Sequence, residues 1–204
     1  MTLRSVFSAA AALAAEKHAL TGLEFAGGIP GSIGGGVVMN AGAYGGELKD
    51  VLSSAEVLTE TGERKTVGPG ELSLSYRHSN VTENGWIVIS AELTLIPGEK
   101  EAIRTTMREL SERRREKQPL EFHSAGSTFR RPEGHFAGKL IEEAGLKGFS
   151  IGGAQVSEKH CGFVINRGNA TASDILGVIR EVRRRVFETS GIMLEPEVKI
   201  LCDL

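Results

Sequence analysis

Apolar residues recur at three- and four-residue intervals in several stretches of the chain, and each such stretch predicts a helix. Residues 2–18 carry Val6, Ala10 and Leu13 at this spacing, with Thr2 placed as an N-cap. Residues 99–116 carry Ile103, Met107 and Leu110 and end on Arg113, Arg114 and Arg115, where cations suit the helix dipole. A short helix is expected over 135–143. The clearest pattern covers 173–189, with Ile175, Ile179, Val182 and Val186 on one face and Arg180, Arg183 and Arg184 toward solvent. Gly191 then ends that helix as a left-handed cap.

Strands are expected where apolar residues alternate or cluster in short runs. Residues 51–58 and 63–67 flank Thr61-Gly62 and read as a hairpin. Residues 86–96 form a further strand, ended by Pro97-Gly98. Cys161 to Asn166 reads as a short buried strand and Glu197 to Cys202 as the last one. Gln118-Pro119 breaks the pattern and marks a boundary, giving two parts, 1–116 and 117–204.

Composition narrows the classes. The chain has 204 residues, a formal net charge of −2 and 40% hydrophobic residues, as in ordinary globular proteins. A charge so close to zero gives no electrostatic case for nucleic acid. Cys161 and Cys202 are the only cysteines, which suits a reducing compartment and offers no metal site. No apolar run reaches the roughly 20 residues that span a bilayer, and Glu16-Lys17-His18 follows the alanine-rich start without a signal-peptide pattern. A cytoplasmic protein without membrane partners is expected.

The periodicity fails between Gly27 and Gly46. This stretch reads GGIPGSIGGGVVMNAGAYGG and holds nine of the 26 glycines. Each interior glycine costs a helix about 1 kcal/mol against alanine, and Pro30 has no amide donor, so no helix is expected here. Such backbone can approach a ligand closely and offer amides to a phosphate or to the edge of a flat ring. Tight turns in a small β domain are the plain alternative. The spacing does not fit the GxGxxG dinucleotide fingerprint.

Three short words carry candidate chemistry. In Ser75-Tyr76-Arg77-His78-Ser79, a guanidinium beside an aromatic suits a carboxylate ligand. In Ala125-Gly126-Ser127-Thr128-Phe129, the serine lacks the GxSxG setting of an acyl-transfer nucleophile, and a turn or cap stays open for it. In Leu194-Glu195-Pro196-Glu197-Val198, two carboxylates two apart on an extended segment share a face, which fits a solvated edge as well as a site.

These words together resemble the UDP-N-acetylenolpyruvoylglucosamine reductase family. GIPGSIGGGVVMNAGAYGGE is similar to its flavin-binding signature, YRHS to its YRxS, AGSTFRRP to its AGSxFxxP and LEPEV to its LxxEV ending. The resemblance implies an α+β chain: the second lobe of a two-lobe FAD-binding domain, followed by a smaller α+β substrate-binding domain. It implies a further FAD lobe ahead of this segment, which nothing in the 204 residues matches. FAD would contact Gly28, Ile29, Pro30, Gly31, Ser32, Gly34, Gly35, Asn40, Ala41 and Gly42. Arg77 would steady the substrate carboxylate, Ser127 would act as general acid, and Glu197 rather than Glu195 would support the acid-base step. Tyr76 would contact substrate, Lys117 in RxxKxP would face its diphosphate, and His160 in AQVSEKHCGFVIN is equally open as a substrate contact or a structural histidine.

The 50 positions from Arg77 to Ser127 leave no room for the tyrosine-bearing loop of one branch, so the chain resembles the shorter branch. The implied reaction uses NADPH to reduce FAD and then reduces UDP-N-acetylglucosamine enolpyruvate to UDP-N-acetylmuramate, with no metal. A UDP-sugar-binding module without turnover and a flavin oxidase of the same cofactor fold are the alternatives.

Overall fold

A computed structural model describes residues 8–201, so Thr2, Val6 and Cys202 lie outside the described residues. The chain divides into two compact units, one ending at Arg114 and one beginning at Arg115.

The first unit opens on α1 (Ser8–Lys17). Ala12 and Ala15 are buried against Leu23, Phe25 and Ala26, whereas Ala10 and Leu13, expected on the packed face, are exposed. An alanine-rich helix presents similar small side chains all round, so its neighbours select the packed face rather than its own largest residue. After β1 (Leu20–Thr21) and a 3-10 turn over Glu24–Gly28, the glycine-rich stretch forms a helix, α2 (Ile33–Met39). This overturns the expectation that no helix forms there. Ser32 caps its start by accepting the Gly35 amide, and Asn40 ends it in the left-handed conformation at φ 41°. Val37 is fully buried beside Leu48, so packing and two caps outweigh the poor propensity of Gly34, Gly35 and Gly36.

The hairpin of β2 (Gly42–Ala43) and β3 (Gly46–Glu47) follows, then β4 (Leu52–Leu58) and β5 (Arg64–Val67), joined by the expected turn with Gly62 at φ 81°. A one-turn helix α3 (Pro69–Leu72) precedes β6 (Ile87–Leu93), which completes a three-stranded antiparallel sheet in the order β5-β4-β6. β7 (Ile96–Pro97) pairs with β1, and α4 (Lys100–Lys117) buries Ile103 and packs Met107 on the α1 cluster.

The second unit is a four-stranded antiparallel sheet packed on helices. Its strands are β8 (His123–Ser127), β9 (Ser150–Ile151), β10 (Ala154–Val156) and β11 (Phe163–Asn166), in the order β8-β11-β10-β9. α5 (Ala137–Glu143) and α6 (Ala172–Ser190) supply Leu140, Ile141, Val178, Ile179, Val182 and Val186 to one core. Thr171 and Asp174 form a capping box at the start of α6, and Gly191 closes it at φ 70°. Arg183, expected in solvent, is half-buried and donates Nε–H to the Leu194 carbonyl at 2.9 Å.

The strand expected over 197–202 does not form among its described residues. Pro196 makes a single bridge to Phe129, and Val198 to Leu201 join no ladder. Two backbone bonds flank that bridge, Arg130 N–H to the Glu195 carbonyl and Glu197 N–H to the Thr128 carbonyl, each at 2.8 Å, and the pairing does not continue past them.

Candidate active site

In the first unit, the glycines of the 27–46 stretch separate into two groups. A Cβ on Gly36 would stand 2.8 Å from Leu48 Cδ1, one on Gly42 2.7 Å from Glu47 Cγ, and one on Gly46 2.5 Å from Phe25 Cδ1. Those three are glycine because the protein itself fills the space. Gly31, at φ 130°, is glycine for its backbone and would meet nothing within 4 Å. At Gly34 and Gly35 an added Cβ would meet only ordinary contacts, Val88 O and Ser32 Oγ, each at 3.5 Å. No packing demand accounts for glycine at those two positions. Together with the exposed Gly28, Pro30, Gly31 and Ser32 and the half-buried Ile29, they leave accessible bare backbone of the kind a flat or phosphorylated cofactor can lie against.

Asn40 behaves differently. It is fully buried, its Nδ2 donates to Glu47 Oε2 and to the Ser75 carbonyl at 3.0 Å each, and its Oδ1 accepts the Lys49 amide at 2.9 Å. Its side chain therefore ties the loop together. Ala41 lies half-buried beside it, its amide bonded to the Gly36 carbonyl at 2.8 Å.

The same network reaches the YRHS word. Ser75 and His78 exchange both backbone hydrogen bonds at 3.2 Å, which sets Tyr76 and Arg77 at the tip of a tight turn. Arg77 adopts φ 54°, a conformation costly for a residue with a side chain and concentrated at functional positions. Its Nη2 donates to the Gly42 carbonyl at 3.4 Å, its guanidinium lies 5.1 Å from the half-exposed Tyr76 ring, and Ser79 Oγ donates to the Val38 carbonyl at 2.8 Å. Lys49, 2.6 Å away, holds the Glu47 carboxyl below its ordinary pKa against partial burial, with help from Asn40 and Arg77. Two words whose bonded residues lie 35 positions apart thus form one surface of the first unit.

The second unit assembles Ser127, His160 and Glu197 around the end of β8. Ser127 is its last residue, sits opposite Phe163 and donates Oγ–H to the Phe129 carbonyl at 3.3 Å. Next in the chain, Thr128 donates its amide to the Gly162 carbonyl at 2.8 Å, and its own carbonyl accepts the Glu197 amide at 2.8 Å. Glu197 is half-buried, whereas Glu195 is exposed and 3.9 Å from Arg130, so the environment distinguishes the two carboxylates that sequence spacing put on one face.

His160 sits in the turn between β10 and β11, anchored where its amide meets Ser157 Oγ at 3.2 Å. Its Nδ1 accepts the Gly162 amide at 3.1 Å, so the remaining ring proton lies on Nε2. The ring packs edge-on to Phe163 at 5.0 Å and close to Gly138 and Gly162. Burial first, then the charge of Lys117, lowers its pKa and keeps it neutral. Lys117 itself is exposed. Of the residues that frame this histidine, Ser157 and Gly162 lie in the AQVSEKHCGFVIN word without a role assigned there, and Gly138 carried no periodic or motif signal. Arg77 belongs to the first unit, and Ser127 and Glu197 to the second. Among the described residues no group of three His, Cys, Asp or Glu could hold a metal, and no helix is long and apolar enough to cross a membrane.

Comparison with known proteins gives these surfaces a context. Residues 118–201 match the family model for the C-terminal domain of UDP-N-acetylenolpyruvoylglucosamine reductase, and residues 5–68 match that of an FAD-binding domain. A crystal structure of UDP-N-acetylenolpyruvylglucosamine reductase from Thermus caldophilus superposes with a TM-score of 0.83 at 38% identity, over 94% of this chain and 68% of that one. The chain belongs to the UDP-N-acetylenolpyruvoylglucosamine reductase family. The family's reductase from Agathobacter rectalis is 61% identical over 97% of the chain, and that from Caldanaerobacter subterraneus 55% identical over 90%. The chain spans 62% and 61% of the lengths of those two relatives. Membership fixes the α+β class with an FAD-binding domain followed by the family's C-terminal domain, as the sequence words implied.

Proposed function

We propose that this chain supplies the flavin lobe and substrate lobe of an NADPH-dependent flavoenzyme of peptidoglycan precursor synthesis, acting in the cytoplasm. The reaction reduces UDP-N-acetylglucosamine enolpyruvate to UDP-N-acetylmuramate. The observation that carries this reading is the end of β8, within one family domain: the Ser127 hydroxyl lies beside Gly162, whose amide His160 Nδ1 accepts, and the adjoining Thr128 pairs through its backbone with Glu197.

Gly28, Ile29, Pro30, Gly31, Ser32, Gly34, Gly35 and Gly42 would hold FAD, and the fit lies in the bare backbone at Gly34 and Gly35. Held there, FAD would supply hydride transfer from NADPH to the enolpyruvyl carbon–carbon double bond. Arg77, with a planar fork of donors beside Tyr76, steadies the substrate carboxylate. Ser127 donates its proton to the carbon adjacent to the one that gains hydride, so the double bond takes up one hydride and one proton. Glu197 supports that transfer, and the serine is reprotonated from solvent. Lys117 meets the nucleotide diphosphate as a point charge, and His160 offers Nε2–H as a neutral donor to the same ligand.

The test joins this chain to the segment of the Agathobacter relative that it does not span, purifies the protein and adds substrate. A flavin absorption spectrum, with NADPH oxidation dependent on the enolpyruvyl sugar, supports the reading. A colourless protein that binds UDP-sugar makes it a binding module. A yellow one that consumes oxygen and ignores the enolpyruvyl sugar makes it a flavin oxidase.

A further inference from the structure

The word AGSxFxxP leaves the residue after the serine open, and here it is Thr128. Thr128 is 3% exposed, whereas Ser127 before it is exposed, so the two side chains leave the strand on opposite faces. The pairing is irregular at this point. Phe163 and Ile165 of β11 lie two positions apart, but their partners on β8, Ser127 and Ser124, lie three apart. β8 therefore carries one extra residue, a β-bulge at Ala125-Gly126 directly ahead of the serine. Gly126 takes φ 84°, and an added Cβ there would meet nothing within 4 Å, so backbone conformation alone requires the glycine.

A bulge interrupts the ladder and re-aims the side chain beside it, so something must hold it in one geometry. Thr128 does so here. Its Oγ1 accepts the Val164 amide at 3.0 Å in a buried place, and a side chain thus joins the end of β8 to β11 where the pairing is irregular. Its own amide donates to the Gly162 carbonyl, and its carbonyl accepts the Glu197 amide, each at 2.8 Å. Val164 and the neighbouring Phe129 belong to the core packed on α5 and α6. One buried residue therefore ties the serine's strand to the core, to the Gly162 turn and to the backbone of Glu197.

We propose that Thr128 is a positioning residue for the proton transfer, its hydroxyl locking the bulge that aims Ser127. The proposal rests on the reaction proposed above. The serine hydroxyl must reach one carbon of the substrate, and a misplacement of about 1 Å can cost about 10²-fold in rate. Thr128→Val keeps the shape of the side chain and removes the acceptor, which strands the Val164 amide in a buried place and loosens the bulge.

The experiment uses the chain joined to the relative's remaining segment, unaltered and as Thr128→Val, Thr128→Ser, Gly126→Ala, Ser127→Ala and Ser127→Ala combined with Thr128→Val. Thermal melts identify the variants that fold, and stopped flow follows each half-reaction. In Thr128→Val, reoxidation of the flavin by the enolpyruvyl sugar should slow by about tenfold to a hundredfold, with reduction by NADPH unchanged. Thr128→Ser keeps the hydroxyl and should recover most of that rate. Gly126→Ala strains the bulge from its backbone side and should give the same pattern, which keeps the test decisive if Thr128→Val does not fold. Adding Thr128→Val to Ser127→Ala should cost little more, because the threonine acts through the serine. A further loss of about tenfold in that pair, or equal slowing of both half-reactions, would make Thr128 a brace of the whole unit and overturn the proposal. An unchanged reoxidation rate in Thr128→Val would overturn it while leaving the flavoenzyme reading intact. Failure of the enolpyruvyl sugar to reoxidise the unaltered joined protein would overturn both.

Discussion

At the scale of single residues, Asn40 shows how a residue inside a cofactor motif can serve the fold. Its amide and carbonyl hold Glu47, the Ser75 carbonyl and the Lys49 amide through three partly shielded bonds, with its own side chain buried. Asn40→Ala would leave the last two without that partner and put a methyl side chain in left-handed backbone. We expect a loss of about 2–4 kcal/mol on the usual cost of stranded polar groups, read from urea unfolding; a loss near zero would show that the network closes without it. His160 makes a pH statement. Burial and Lys117 depress its pKa below the ordinary 6.5, so as pH falls below 6.5 the unfolded chain takes up the proton before the folded one does. The unaltered protein should therefore lose stability relative to His160→Gln as melts are repeated from about pH 7.5 to pH 5, the window below the ordinary value. A relative gain on acidification would mean that the folded protein binds that proton better, contrary to the neutral imidazole described above.

At the scale of elements, the sequence reading succeeded where one large apolar stripe dominated. α4 and α6 begin and end within a residue or two of their expected positions, because Ile103 and the Ile175–Val186 face leave only one way to pack. It failed where tertiary contacts decided. α2 contains three consecutive glycines, and only burial of Val37, the Ser32 cap and the Asn40 terminus make it a helix. α1 packs on Ala12 and Ala15 rather than on Ala10 and Leu13, because alanine carries little pattern. The segment from Glu197 has the pattern of a strand, but its pairing stops at the Glu197–Thr128 backbone bond. The words of the site were legible by resemblance, yet nothing local could show that Asn40 is sealed in or that Gly138 and Gly162 frame His160.

The two classes of glycine in and around α2 give a test at this scale. Gly46→Ala forces a methyl into Phe25 and should destabilise by about 1–3 kcal/mol, as overpacked cores do. Gly35→Ala should instead stabilise the helix by up to about 1 kcal/mol, because its methyl meets only Ser32 Oγ, while weakening FAD binding. If both variants destabilise alike, or if Gly35→Ala leaves FAD affinity unchanged, the bare-backbone account of Gly35 is wrong.

At the scale of the molecule, two compact units carry different parts of the proposed chemistry. The first presents bare glycine backbone joined by Asn40, Arg77 and Ser79 to the YRHS turn. The second brings Ser127, the His160 turn and the backbone of Glu197 to one strand end. Family membership supports assigning cofactor to the first and substrate to the second. The central claim is that Ser127 is the proton donor to the reduced substrate. Stopped-flow measurement of the two half-reactions in Ser127→Ala, made in the chain joined to the relative's remaining segment, tests it most directly. The account predicts that NADPH reduces the flavin at an almost unchanged rate, while reoxidation by the enolpyruvyl substrate slows by about 10²–10⁴-fold, the range for a lost general acid. Equal slowing of both half-reactions, or of neither, would contradict it.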